Sequence, residues 1–236
     1  MTSSQSTRHA ELLAPAGDMD SAYAALHFGA DAIYIGLPRF SARAEAASVS
    51  MDQLDEITAY AHSLEPRRRV FVTVNTVILQ DELPAVADVL ASLADIEVDA
   101  VIVQDLGVAR LIRRHVPELR LHASTQMAIH NLEGARVLAQ LGFARVTLAR
   151  ELSLAEVSEI AAEKIIEVET FIHGALCYSY SGLCLFSSML RGRSGNRGRC
   201  TYPCRDFCSP EEHLKPGFAF SMKDLSLGDF VPALRE

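Results

Sequence analysis

Short runs of consecutive apolar residues, rich in Val, Ile or Ala, alternate along the chain with stretches whose apolar positions recur at helical spacing. The runs are Leu12 to Ala14, Ala32 to Ile35, Val70 to Val74, Ala100 to Val103, Leu119 to Ala123, Arg145 to Ala149 and Ile166 to Ile172. Between them, Asp18 to Phe28, Met51 to Ser63, Leu83 to Ala94, Leu106 to His115, Asn131 to Leu141 and Ser153 to Ala162 read as helices. Ser50, Asn131 and Ser153 stand where a helix start needs an oxygen for its unbonded N–H groups.

Strands that are apolar on consecutive positions fit a parallel sheet covered by helices. Seven such runs exceed half of a doubly wound sheet. They predict an α/β fold, a TIM-like (β/α) barrel forming a single domain over residues 11–236, with residues 1–10 as a disordered N-terminal tail. An open sheet is the alternative. Ala219 to Ser221 can supply a further strand and Leu225 to Leu234 a short helical segment. A whole barrel typically takes about 250 residues, so this one is expected to be incomplete at its C-terminal edge.

Composition narrows the class. The 236 residues are 49% hydrophobic and 22% charged, with a formal net charge of -8, enough apolar content for a full core and incompatible with disorder or a collagen repeat. No apolar run approaches the roughly 18 residues of a membrane helix, and Met1 to Ala10 lacks a secretory apolar stretch. A soluble cytoplasmic protein without a membrane partner is expected.

Residues that follow barrel strands sit at the carboxyl face, where barrel enzymes place their chemistry. Here they are polar: Asn75 and Thr76, Gln104 and Asp105, Ser124 to Gln126 with His122 beside them, Arg150 and Glu151, His173, and Lys223 with Asp224. The plain alternative for each is a helix cap or a loop bond, and Asp105 and Glu151 read as such caps. His122 and His173 are candidate proton carriers near neutral pH. Gln126 joins them as a candidate catalytic group, while Asn75, Gln104, Arg150 and Lys223 are candidate substrate contacts. Asp18, after Ala16-Gly17, resembles a turn into a helix whose N-terminus can hold a phosphate.

All five cysteines lie between Cys177 and Cys208. An odd number of thiols without an export signal argues against a disulfide framework. From Thr170 through Arg205 there is no acidic residue, yet five arginines occur: Arg191, Arg193, Arg197, Arg199 and Arg205. This Cys/Arg-rich loop after the seventh strand is a basic island that can hold a phosphate backbone, with Arg193, Arg197 and Arg199 as candidate contacts; a solvated loop is the bland reading. Thiolates gathered in one loop system ligate an iron-sulfur cluster or zinc. The gap between Cys177 and Cys184 suits zinc knuckles poorly, which favours a 4Fe-4S cluster and leaves Cys208 as the outsider.

Glu169-Thr-Phe-Ile-His-Gly-Ala-Leu-Cys177, followed by Tyr-Ser-Tyr-Ser-Gly182-Leu-Cys184 and Ser187, resembles the defining motif of the collagenase-like peptidase family U-32. Leu12 to Gly17, Gly29 to Gly36, His122 to Gln126, Arg193 to Cys200, Pro203-Cys204-Arg205 and Ser221 to Leu225 extend the likeness over nearly the whole chain. Within the family the chain is most similar to the bacterial group that makes 5-hydroxycytidine in ribosomal RNA. The resemblance implies a barrel-like domain in which Cys177, Cys184, Cys200 and Cys204 hold a 4Fe-4S cluster, with prephenate as a further requirement. It adds Glu169 to the candidate catalytic groups and RNA, ribosomal or transfer, as the partner. Two departures stand out: the chain ends before the strand that normally follows Ser-Met-Lys-Asp-Leu, so a second subunit or a further C-terminal segment is expected, and Cys208 is additional.

Hydroxylating a base carbon needs a cofactor, and Tyr178, Tyr180 and Tyr202 beside the arginines can stack a splayed base or simply pack. The alternative is the peptidase that the family name records. No H-E-x-x-H or G-x-S-x-G occurs, which leaves a thiol paired with His173 as the route to a nucleophile. A non-catalytic iron-sulfur partner subunit is the third reading.

Overall fold

The computed structural model describes residues 10–45, 48–208 and 217–234. The tail expected over residues 1–10 lies, apart from Ala10, outside them. The chain runs β1 (Leu13–Ala16), α1 (Met19–His27), β2 (Ala32–Gly36), α2 (Met51–Ser63), β3 (Arg69–Val74), α3 (Leu83–Asp95), β4 (Ala100–Val103) and α4 (Leu106–His115). It continues through β5 (Leu121–Ala123), α5 (Leu132–Gln140), β6 (Arg145–Thr147), α6 (Leu154–Ala162) and β7 (Glu167–Glu169). The seven strands form one parallel sheet in sequential order, a curled α/β sheet of the TIM-like kind in which β1 and β7 are the free edges.

Alternation along the strands builds two apolar layers. Ile33 and Ile35 of β2, Val70, Val72 and Val74 of β3, and Val101 and Val103 of β4 point to the helices and join the main core. Their neighbours Ala32, Phe71, Ala100 and Ile102 face the inside of the curl with Leu13 and Tyr34. Both sides are covered, so the strands read as continuous apolar runs. The helices start where the caps require. Ser50, Asn131 and Ser153 accept from the N–H groups of Gln53, Gly134 and Glu156. Asp18 caps α1 by accepting from Ser21 N–H, which satisfies that helix start with the chain's own carboxylate instead of a phosphate.

The last part of the chain departs from expectation. Ile166 to Ile172 is not one strand: β7 stops at Glu169, the backbone leaves the barrel, and β8 (His173–Gly174) pairs antiparallel with β9 (Leu225–Ser226). Ala219 to Ser221 lies in a turn instead of a strand, and of the segment Leu225 to Leu234 the first two residues form β9 while a 3-10 turn at Gly228–Phe230 leads into α8 (Val231–Leu234). Gly174, at φ 118°, takes a conformation that side-chain-bearing residues avoid and turns the chain away from the sheet. Between β8 and β9 the Cys/Arg segment folds over the carboxyl face as short turns and α7 (Phe186–Arg191). No described helix is long and apolar enough to cross a membrane.

Candidate functional site

Strand ends bring the polar rim residues around one cavity of about 1160 Å³. Gly17, Asn75, Ser124 and Arg150, which follow β1, β3, β5 and β6, line it from the barrel. The Cys/Arg segment forms the opposite wall. Gln126, in the short turn Thr125–Met127, is buried and accepts weakly from Ser124 Oγ at 3.4 Å. Asn75 Oδ1 accepts from the Ala42 N–H at 2.9 Å, ordering the loop after β2. Arg150 reaches in from the end of β6, and its Nε is buried without a hydrogen-bond partner. Neither Arg150 nor Arg43, which also lines the cavity, has a carboxylate partner among the described residues.

Cys177, Cys184, Cys200 and Cys204 all line this cavity, and all are free thiols. Their sulfurs are supplied with donors: Phe186 N–H points to Cys184 Sγ at 3.3 Å and Tyr202 N–H to Cys200 Sγ at 3.4 Å. Cys177 Sγ shares a 3.0 Å contact with Ser179 Oγ. Burial works against the Cys177 thiolate, but the Ser179 hydrogen bonds and the Arg150 charge outweigh it and hold the thiol below its ordinary value. Burial and then the charges of Cys177 and Cys200 push Cys204 up, as expected for thiols that share one site. Among the described residues no three His, Cys, Asp or Glu side chains converge tightly enough for a single metal ion. Four cysteine thiols on the wall of one cavity are a donor set that an iron-sulfur cluster or a zinc ion can use. Cys208 lies outside the cavity; its backbone pairs with Gly217.

Several expected site residues stand elsewhere. His122 is inside the curl, edge-on to Phe71 at 4.7 Å, rather than at the rim, and its Nδ1 is buried without a partner. Burial and the nearby Arg145 push its pKa down to about 2, so it carries no proton near neutral pH. Glu169 accepts from Thr147 Oγ1 at 2.9 Å and faces Arg145 at 3.5 Å, and burial raises its pKa. His173 is exposed in the β8–β9 ribbon, and no histidine lines the cavity among the described residues. Gln104 follows β4 outside the cavity lining, with its Oε1 buried and unpartnered, and Lys223 is exposed and also outside the lining.

Each arginine of the basic island has a carboxylate partner within the chain. Arg197 makes a two-pronged pair with Glu82 at 2.6 and 2.9 Å, Arg199 reaches Glu45 at 3.2 Å, and Arg193 pairs with the same carboxylate. Arg191 pairs with Asp206, and Arg205 with Asp224 at 3.7 Å. Arg197 also donates to the Val77 carbonyl while Val77 N–H donates to Asn196. Arg193, Arg197 and Arg199 thereby fasten the segment to the loops after β2 and β3 instead of offering free charge to a phosphate backbone, while Arg191 and Arg205 pair within the C-terminal part of the chain. Sequence reasoning also missed Glu151: it caps no helix but accepts from both the N–H and Oγ of Ser181 at 2.7 Å. Ser181 is fully buried at φ 43° between Cys177 and Cys184.

The model of the family described as Peptidase family U32 matches residues 17–236. The chain is 42% identical over 200 residues to a 23S rRNA 5-hydroxycytidine synthase of Escherichia coli (strain K12), covering 85% of this chain and 30% of that protein. It is 34% identical over 242 residues to tRNA hydroxylation protein P1 of Bacillus subtilis (strain 168), covering 98% of this chain and 57% of that one. The chain therefore spans less than two thirds of the length of either relative. The solved structure of a U32 peptidase superposes with a TM-score of 0.58 at 19% identity, over 71% of this chain and 70% of the other, a likeness of fold.

Proposed function

The chain belongs to peptidase family U32, and from that premise we propose that it serves in hydroxylating a base of ribosomal or transfer RNA with a 4Fe-4S cluster held by Cys177, Cys184, Cys200 and Cys204. The observation that carries this reading is the meeting of those four thiols, from two stretches of the segment, around one cavity at the carboxyl face of the barrel. The printed names of the two relatives supply the substrate class. Prephenate is the further small molecule expected.

A bound cluster would supply one-electron chemistry that side chains lack. The rest falls to the chain itself. N–H groups of Phe186 and Tyr202 bond the thiolate sulfurs and set their electron density. Arg150 balances negative charge at Cys177. Amides and hydroxyls of Asn75, Ser124 and Gln126 match the polar edge of a base, and the segment shields the cavity from bulk water. Arg43 and Arg150, without a carboxylate partner among the described residues, are the charges left for an anionic group. A second subunit or further segment against the open β1 and β7 edges belongs to the same reading.

Proteolysis stands second, because a thiol nucleophile needs a base beside it and the described cavity lining contains no histidine. The test is purification without oxygen, followed by assays of iron, acid-labile sulfide and visible absorbance, with Cys184→Ser as the comparison. Iron and sulfide in equal amounts, lost in the variant, are expected; nucleoside analysis of RNA from a deletion strain then identifies the missing hydroxylated base. Protein that is colourless and iron-free, or RNA unchanged by the deletion, overturns the reading.

A further inference from the structure

We propose that Tyr202 is the platform on which an RNA base stacks as it enters the cavity, an assignment that rests on the RNA reading above and names the group that receives the substrate. Three exposed tyrosines border the cavity: Tyr178, Tyr180 and Tyr202. Two already have ring partners. Tyr178 meets Phe220 edge-on at 5.3 Å, and Tyr180 lies parallel to His130 at 4.8 Å. Tyr202 is 50% exposed and has no ring partner among the described residues.

The backbone holds that ring in place against its own preference. Tyr202 sits at φ 54° and ψ 43°, a left-handed conformation that bulky residues rarely adopt and that a following proline disfavours further. The neighbours enforce it. Thr201 N–H donates to Ser187 Oγ at 3.1 Å, Tyr202 N–H to Cys200 Sγ at 3.4 Å, and Arg205 N–H to the Tyr202 carbonyl at 2.8 Å. A glycine would take this turn freely. With half of its surface in solvent, the tyrosine adds little packing in return, while it lines the cavity.

The cavity behind the ring says what kind of molecule fits. Its deep side offers the amides of Asn75 and Gln126, the hydroxyl of Ser124 and the unpartnered Arg150 Nε, and its outer side offers aromatic faces. A flat heteroaromatic ring with donors and acceptors on its edge matches both, and single-stranded RNA presents its bases in that way. The arginines that would have held phosphates are paired within the protein, so stacking carries more of the recognition.

The test is binding of a fluorescein-labelled, unstructured oligoribonucleotide to the full chain purified without oxygen, by anisotropy, alongside thermal unfolding. Tyr202→Phe should bind within about twofold of the unsubstituted protein, since the ring remains. Tyr202→Gly and Tyr202→Leu should each bind roughly 5- to 150-fold more weakly, while the glycine variant unfolds at the same or a higher temperature. If the unsubstituted protein binds the RNA and the glycine or leucine variant binds it equally well, the platform is overturned and the RNA reading stands. If the unsubstituted protein does not bind the RNA, both fall. Loss of binding to a labelled gelatin peptide, with RNA binding intact, assigns the ring to a peptide and overturns the proposal.

Discussion

The imidazole of His122 stays neutral inside the curl: burial first, then the charges of Arg145, Arg120 and Arg69, lower its pKa from 6.5 to about 2. The unfolded chain takes up this proton below about pH 6.5 and the folded chain does not, so the stability contribution is complete above that pH and is lost as the pH falls toward 2. Acidification from pH 7 to 5 should cost about 2 kcal/mol through this residue. His122→Leu should remove that part of the acid slope, measured as urea unfolding at both pH values; an unchanged slope places the proton uptake elsewhere. Glu151 acts through Ser181. In Glu151→Gln an amide N–H₂ replaces one of the two accepting oxygens, leaving a buried Ser181 donor unsatisfied at about 1–3 kcal/mol. A lower denaturation midpoint, with faster alkylation of Cys177 and Cys184, is the expected result.

Among the elements, the segment from Cys177 to Arg205 is held by ion pairs, by hydrogen bonds such as those of Ser181 to Glu151, and by a close backbone approach. A Cβ on Gly198 would stand 2.2 Å from the Ser41 carbonyl oxygen, at a φ of 77° that already favours glycine. Gly198→Ala should therefore lift the segment off the loop after β2. The Glu82 pair with Arg197 gives a second handle. Hydrogen bonds from Arg197 first, and from the Leu79 N–H second, lower the Glu82 pKa from 4.5 to about 2. A carboxylate lowered in the folded state contributes stability above its unfolded pKa and loses it as the pH falls through the folded one, so this fastening weakens between about pH 4.5 and 2. Limited proteolysis should cut the segment in Gly198→Ala and Glu82→Gln several times faster, with the far-ultraviolet circular dichroism of the barrel unchanged. Equal cutting rates would show that the cavity wall is held by other contacts.

Across the whole molecule, Arg145 joins the ends of the curled sheet. It donates to Glu11, ahead of β1, and to Glu167 of β7, each at 2.9 Å, and lies 3.5 Å from Glu169. Its own desolvation is outweighed by these carboxylates, and its pKa is raised. Arg69 of β3 pairs with the same Glu11. Removing one partner of a mostly buried network leaves charge without compensation, so Arg145→Met should cost about 3–5 kcal/mol in denaturant unfolding; a cost under about 1 kcal/mol would mean that water replaces it. The order of strands and helices was legible in the chain because apolar periodicity and helix caps are local: Ile33 and Ile35 must face helices, and Ser50, Asn131 and Ser153 cap whatever fold they join. The cysteine cluster was legible for the same reason, as all five thiols fall within one short stretch. Where a charge or a ring ends up is a long-range matter. His122 reads as a rim residue until Phe71 and Arg145 close around it, and the arginine island reads as free until Glu45 and Glu82, more than 100 residues away, pair with Arg193, Arg197 and Arg199. Periodicity is written into neighbouring residues and was decided by the sequence; partner choice across the curled sheet depends on which distant side chains share a space, and only the tertiary structure decided that.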